Sequence, residues 1–186
     1  MKLHRLLPPL AVIGILSTIT FFAPDADAQP APKAQKSIVV ALQGTAQGQP
    51  KTLDLPGGPV DATCFQVDLI NLESGRVIGS GADCLTNIQP LGAGVSLTDY
   101  TIFDFPSGSI VSQSEVSIQP AQMAGFPQVS HLTGSHPMPW DNNVLMGTRR
   151  FRNATGQVRL SGGVDMSKLA SDGQITFDCI FVITLD

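Results

Sequence analysis

Short runs of β-forming residues, separated by clusters of turn residues, dominate this chain after Ser37. Valine, isoleucine, threonine and phenylalanine fill the runs, glycine, proline, asparagine and aspartate fill the gaps, and no helical periodicity appears. Such spacing is typical of β-sandwiches and β-barrels. We therefore predict an all-β domain with strands near residues 37–43, 62–72, 76–86, 94–104, 109–118, 128–134, 143–147, 156–166 and 174–185.

The last of these strands indicates a closed antiparallel barrel rather than a one-sided sheet. One of its faces is continuously apolar and consists of Ile175, Phe177, Cys179, Phe181, Ile183 and Leu185. The other face places Ile180 and Val182 among Thr176, Asp178 and Thr184. The first face fits a barrel interior. The second fits either contact with another subunit, giving a homodimer or homotrimer, or simple exposure to water.

The N-terminus has the pattern of an export signal. Lys2 and Arg5 precede a mostly apolar stretch over residues 6–22, and a small-x-small cleavage site follows over residues 26–28. A membrane anchor is the alternative, but prolines, serine and threonines interrupt the stretch. We expect a signal peptide over residues 1–28, a flexible linker over 29–36 and a single β-barrel domain over 37–186. The protein would then be secreted or periplasmic, without membrane contact after cleavage.

Charge and histidine spacing exclude several classes of partner. The formal net charge is −4, which argues against nucleic acid as the main partner. His131 and His136 lie near Asp141, but no second ligand pair accompanies them, so the spacing does not form a metal motif. We therefore predict no metal and no cofactor.

Two of the three cysteines are placed to form a disulfide. Cys64 and Cys84 flank a predicted hairpin with its turn at residues 73–75, and residue 74 lies midway between them. Facing residues on antiparallel strands bring their Cβ atoms to about 5 Å, close to what a disulfide needs. The alternative is two buried thiols, with a bulge at Gly79 or Gly81 disturbing the register.

Cys179 is the remaining cysteine and lies on the apolar face of the last strand. We expect it to pack as a small hydrophobic side chain. If the barrel has an open lumen, Cys179 would line it and contact a ligand.

An arginine cluster is the first of three other candidates for ligand binding. Arg149, Arg150 and Arg152 crowd one turn, with Arg159 nearby. At a barrel mouth they could hold a carboxylate or phosphate, or they could be solvated turn residues.

Trp140 and Asp68 are the other two candidates. Trp140 lies in a proline-containing segment, residues 130–143, which we expect to form a loop and which could act as a lid. Its ring could stack on a ligand or plug one end of the barrel, and we favour the plug. Asp68 alternates with Phe65, Val67 and Leu69. It would be a lumenal acid or base if the apolar face points outward, and a surface residue if that face points inward.

The segment over residues 145–160 carries a resemblance to a known family. An apolar strand ends at Gly147-Thr148, a compact polar turn contains Phe151 and Ala154, and Gly156 opens the next alternating strand. This arrangement resembles the signature of allene oxide cyclases and plant dirigent proteins. The resemblance implies an eight-stranded antiparallel barrel that forms dimers or trimers. It also implies a small hydrophobic molecule in the lumen, whose cyclisation or coupling the barrel biases.

The resemblance transfers structural roles only. Those roles fall on Gly147, Thr148, Phe151, Ala154 and Gly156, and no catalytic residue can be placed. The family commonly has Gly-Thr-Gly or Gly-Ser-Gly before its aromatic residue, whereas arginines stand in this turn, which is bulkier and more cationic.

Two hypotheses of function follow, and they leave open whether the protein is an enzyme. In the first, the exported barrel binds a small hydrophobic molecule in its lumen and steers or catalyses its cyclisation or isomerisation. In the second, the barrel is filled by its own side chains and is a non-enzymatic structural or interaction protein. A lipid carrier of the lipocalin type ranks below both, because the C-terminal motif does not support it.

Overall fold

The computed structural model describes residues 36–121, 130–137 and 139–186. The expected signal peptide, and the linker apart from Lys36, lie outside these residues. The described residues form ten strands: β1 Lys36–Gln47, β2 Gln49–Leu55, β3 Gly58–Asn71, β4 Arg76–Leu91, β5 Gly94–Phe105, β6 Gly108–Pro120, β7 His131–Pro137, β8 Val144–Gly147, β9 Gly156–Asp165 and β10 Gln174–Leu185. A 3-10 turn, Arg149–Phe151, and a short helix, α1 Leu169–Asp172, complete these elements. None of the described helices has the length and apolarity needed to cross a bilayer.

Eight strands form a closed antiparallel ring. The order around it is β1, β10, β9, β7, β6, β5, β4 and β3, and β3 pairs with β1 again through residues 68–71 and 40–43. The remaining strands attach to this ring, β2 beside β3 and β8 beside β6. The predicted all-β, eight-stranded antiparallel barrel is confirmed.

The strand predictions fall four or five residues short at one end of β1, β3 and β4, and they differ more at two other places. Strand β2 was not predicted, because Pro50, Lys51 and Asp54 make its sequence look like a polar turn; only Leu53 is buried in it. The predicted strand at 128–134 lies later, at His131–Pro137, with residues 128 and 129 outside the described part of the chain. The expectation of a loop over residues 130–143 is therefore wrong for its first half.

The barrel interior is filled with apolar side chains. Phe103 packs edge-on against Phe181 with ring centroids 5.1 Å apart, and Phe65 lies 5.7 Å from Phe177. Along β10 the predicted faces are confirmed: Ile175 through Ile183 alternate buried and exposed, with Ile180 43% and Val182 38% exposed. An interior packed in this way is the main stabilising feature of the fold.

The disulfide between Cys64 and Cys84 is confirmed, and a bulge sets its register. The turn is one residue longer than expected, since Asn71 pairs with Arg76. Ile78 then has no partner opposite it, because Ile70 faces Val77 and Leu69 faces Gly79. Without that bulge, Cys64 would face the next residue back, Asp83. The bulge therefore turns Cys84 outward beside Cys64 and Asp83 inward.

The disulfide lies in a second apolar cluster on the outer side of the wall. Leu53 of β2, Ala62 of β3 and Tyr100 of β5 pack around the bridge and bury it. A stable buried disulfide fits an oxidising compartment outside the cytoplasm.

Asn143 closes a gap in the ring. Strand β6 pairs with β8 up to Ser112 and with β7 from Ser114 onward. The fully buried Asn143 side chain donates to the carbonyl oxygens of Gln113 and Val158, and its Oδ1 accepts from the Val158 amide. The Asn143 backbone also accepts from the Gln113 amide and donates to Gly156 O, so this one residue replaces strand pairing where β6 changes neighbours.

Candidate functional site

The turn after β8 is fastened to one end of the barrel, here called the mouth. The Thr148 amide donates to the carbonyl oxygen of Ser109, and the Ser109 amide donates to Thr148 Oγ1, both at 2.9 Å. Within the turn, the Phe151 amide donates to Thr148 O and the Ala154 amide donates to Phe151 O. These bonds hold the buried Phe151 ring over the end of the barrel.

Two glycines of the same motif are required by close backbone approach. A Cβ on Gly147 would collide with the carbonyl oxygen of Phe151. Gly156 has φ +141° and faces the carbonyl oxygen of Thr184 in the same way. The structural roles expected for the motif therefore have a direct physical basis.

A cavity of about 420 Å³, here called the mouth cavity, lies beside this turn. Its floor is apolar, and the Phe105 and Phe151 rings meet there with centroids 5.5 Å apart. The lining consists of Ile38, Ile78, Phe105, Ser107, Arg150, Phe151, Leu185 and Asp186. A second cavity of about 500 Å³ adjoins it and shares Ile38. An apolar floor with a few polar rim groups suits a small molecule with one polar end.

The predicted ligand-binding residues do not converge on this cavity. Arg149 and Arg152 are exposed, and Arg149 donates to the carbonyl oxygen of Pro106 at 3.5 Å; Arg150 is the turn arginine that lines the cavity. Asp68 is exposed on the outer face of β3, while its apolar neighbours point inward.

Trp140 and Cys179 also lie elsewhere. Trp140 is 57% exposed and contacts the His136 ring, so the expectation that it plugs the barrel is wrong. Cys179 is a buried free thiol in the apolar interior, as the packing interpretation predicted, and its thiol donates to Gly163 O at 3.7 Å.

A polar cluster inside the barrel was not predicted. Asp83 on β4 faces Thr101 on β5, which faces Ser112 on β6. Asp99 precedes Thr101 by two residues and so shares its inward face. The Thr101 hydroxyl donates to Asp99 Oδ2 at 2.6 Å. Asp83 and Asp99 are 7% and 1% exposed, so two carboxyl groups lie side by side within the packed wall.

Burial dominates the electrostatics of this pair. It raises the pKa of Asp83 to about 6, although hydrogen bonds from Asp99 and Thr101 oppose the shift. The pKa of Asp99 is raised well above its usual value by burial and by the charge of Asp83. Interaction between the two carboxyl groups lowers the pKa of Asp83 and raises that of Asp99, so the last proton of the pair is held more tightly than by an isolated aspartate. Burial and the same charge raise the pKa of the Cys179 thiol, which is unreactive in consequence.

Three oxygens of the cluster have no hydrogen-bond partner: Asp83 Oδ1, Asp99 Oδ1 and Ser112 Oγ. The sequence contained one signal for the cluster. Asp99 and Thr101 alternate along β5 with the buried Leu97 and Phe103, so they point to the same face of the sheet. The inward position of Asp83 could not be predicted from alternation, because the extra residue at Ile78 reverses which residues of β4 point inward.

The described residues contain no group of three or more histidine, cysteine or acidic side chains placed to hold a metal ion. The chain matches no protein-family model and no curated protein.

Proposed function

We propose that this protein is an exported β-barrel that binds a small, mostly apolar molecule at its mouth cavity. The observation that carries the proposal is the cavity of about 420 Å³, whose floor combines Ile38, Ile78, Phe105, Phe151 and Leu185. Apolar groups left open at a concave surface favour a ligand that removes them from water. The rim groups of Ser107 and Arg150 would orient its polar end.

The mouth supports binding better than the lumen does. Phe103, Phe181 and their neighbours occupy the interior, so a ligand there would need to displace packed side chains. The resemblance to allene oxide cyclases and dirigent proteins adds a function for such a ligand, namely that the barrel biases its cyclisation or isomerisation. The N-terminal signal pattern and the disulfide support export.

The proposal is tested by titrating the protein with 1-anilinonaphthalene-8-sulfonate, an apolar dye with one anionic group, and following its fluorescence. We expect saturable binding that Leu185→Glu weakens tenfold or more, which corresponds to about 1.4 kcal/mol, because a carboxylate then lies in the apolar floor. Leu132→Glu is the control, since Leu132 is 51% exposed on β7 and does not line the cavity. Absence of saturable binding, or equal loss in both variants, would refute the proposal.

A second candidate function, self-association, is favoured by one apolar surface. Its members are exposed or half-buried on the outer faces of β3, β4, β1 and β10 and in the turn after β3. We call them the outer apolar face: Val39, Ile70, Leu72, Val77, Ile180 and Val182. The strand register makes them neighbours. Val39 faces Val182 across β1 and β10. Ala41 faces Ile180 on one side and Ile70 on the other, and Ile70 in turn faces Val77.

We propose a second copy of this chain as the occupant of this face. Asp68 and Asp178 border it at one end, level with Gln43, and Arg159 lies beside Val182 toward the other. Two copies stacked with antiparallel strands would bring the arginine of each toward the acidic border of the other. Contiguous apolar surface of this kind is typical of interaction sites.

Sedimentation velocity tests this candidate. We expect a dimer whose association Ile180→Lys abolishes, whereas Ile88→Lys, at a residue 56% exposed outside this face, leaves it intact. A wild-type monomer at high concentration would eliminate the candidate.

A further inference from the structure

Two acidic side chains lie inside the barrel with no basic side chain among the groups that most influence them. Those groups are each other, the Thr101 hydroxyl and the Cys84 backbone amide. Because both carboxyls are removed from water, ionising both would place two negative charges side by side in a medium that solvates neither. A single shared proton resolves this, since Asp99 then donates to Asp83.

The cluster remains incompletely satisfied even with that proton. Ser112, 1% exposed, points toward the same inner face, and its hydroxyl oxygen has no partner; the Oδ1 atoms of Asp83 and Asp99 have none either. Buried polar atoms without partners are rare in folded proteins and call for a specific explanation. Here all three would gain partners if water entered.

The wall next to the pair is also its least continuous part. Ser112 is the last residue of β6 paired with β8, and Ser114 is the first paired with β7. Between β6 and β9 the connection at this level runs through Asn143. Its backbone accepts from the Gln113 amide and donates to Gly156 O, and its side chain bonds to Val158 and donates to Ser114 Oγ at 3.0 Å. The acid pair therefore lies next to a junction where one residue, Asn143, stands in for direct pairing between two strands.

We propose that Asp83 and Asp99 form an internal proton-binding site that keeps this wall closed while they share a proton and opens it when the proton is released. On release, the O–H donor of Asp99 is lost and two adjacent carboxylates repel each other. The open state, in which water reaches the three unpartnered oxygens, is then favoured over the closed one. This inference is independent of ligand binding at the mouth.

Few other groups can contribute to such a pH response. From β10, Cys179 faces the pair and is influenced by both carboxyls. The neighbouring inward residues Phe65 on β3 and Ser112 and Ser114 on β6 carry no charge. The response is thus expected to come from the carboxyl pair.

Cys179 provides the test, because it is the one thiol of the chain outside the disulfide. The rate of its labelling by N-ethylmaleimide is measured from about pH 5 to about pH 8 and divided by the rate for urea-unfolded protein at the same pH, which removes the effect of thiolate formation. We expect this ratio to rise with pH by up to about tenfold per pH unit, because opening releases a proton.

Asp99→Asn is the decisive variant, since its amide can still donate to Asp83 but cannot release a proton. Above about pH 6, where Asp83 is already ionised, the ratio should lose its pH dependence. Asp54→Asn, at an exposed residue of β2, should leave the wild-type slope unchanged. A pH-independent ratio in the wild type would overturn the proposal, whether or not the Asn variant folds. Hydrogen exchange of β5 and β6 amides supplies a second readout, and protection that does not fall with rising pH would overturn it as well.

Discussion

Asp83 and Asp99 are the residues whose environment differs most from what their chemistry prefers. Aspartates rarely lie fully buried unless they are paired with cations. Here each is held by the other and by Thr101, and burial raises the pKa of both. A carboxyl group whose pKa is raised by folding binds protons more tightly in the folded state than in the unfolded state, so the folded state gains stability from protonation.

The stability of the protein should therefore fall as pH rises, which is the reverse of the usual behaviour of aspartate. For Asp83 the contribution is fully present below about pH 3.8 and is lost as pH rises through about 6. The loss is on the order of 3 kcal/mol. Urea unfolding at about pH 4 and about pH 7 measures it. Asp83→Asn should reduce the difference, and the remainder should come from Asp99, whose pKa burial also raises. A wild type more stable at the higher pH would contradict the expectation.

Gly156 carries a second prediction at this scale. Replacing it with alanine forces a Cβ against the carbonyl oxygen of Thr184 at a φ of +141°, so we expect a loss of more than about 2 kcal/mol. Gly57→Ala is the matched control, because a Cβ there meets nothing within 4 Å; it should change stability by less than about 0.5 kcal/mol. Equal effects in thermal unfolding would show that the close approach at Gly156 is not what restricts this position.

At the level of strands, alternation predicted most of the sheet but not its irregularities. The apolar face of β10 was identified correctly because each inward residue from Ile175 to Ile183 is large and apolar or a cysteine. Strand β2 was missed because one buried side chain, Leu53, produces no alternation. The inward position of Asp83 depends on the extra residue Ile78, and a single bulge leaves no periodic signal in the sequence.

The candidate site was predictable only in its backbone. The resemblance alone pointed to structural roles for Gly147 and Gly156, and the structure supplies the reason, which is close backbone approach at both positions. The mouth cavity, however, combines residues from β1, β4, β5 and β10 with the turn, and that combination depends on how the ring closes. The spacing of the arginines in the turn could not predict which of them lines the cavity; Arg150 does and Arg149 does not.

The hairpin of β3 and β4 carries the prediction for this scale. Its disulfide joins cysteines separated by 20 residues, so reduction should destabilise the protein by about 3 kcal/mol. Urea unfolding with and without dithiothreitol measures the effect. In the Cys64→Ala, Cys84→Ala variant the reductant should change nothing, since Cys179 is unpaired. If the variant responds to the reductant as the wild type does, the bridge is not the source of the stability.

For the molecule as a whole, the closed ring separates three regions with different roles. The packed interior supplies stability and holds the acid pair. The outer apolar face offers contact with a second copy, and the mouth cavity offers space for a small molecule. We therefore propose that function lies at the surfaces where apolar groups meet solvent, and that the interior supports the fold and responds to pH.

The most direct measurement of the central claim is a ¹H–¹⁵N NMR titration of the protein with 1-anilinonaphthalene-8-sulfonate. Binding at the mouth predicts saturable shifts at the amides of Ile38, Ile78, Phe105, Phe151 and Leu185, with the amides around Leu132 and Ile88 unchanged. Shifts confined to Val39, Ile180 and Val182 would place the dye on the outer apolar face instead. That result, or a titration without saturable shifts, would contradict a ligand-binding mouth.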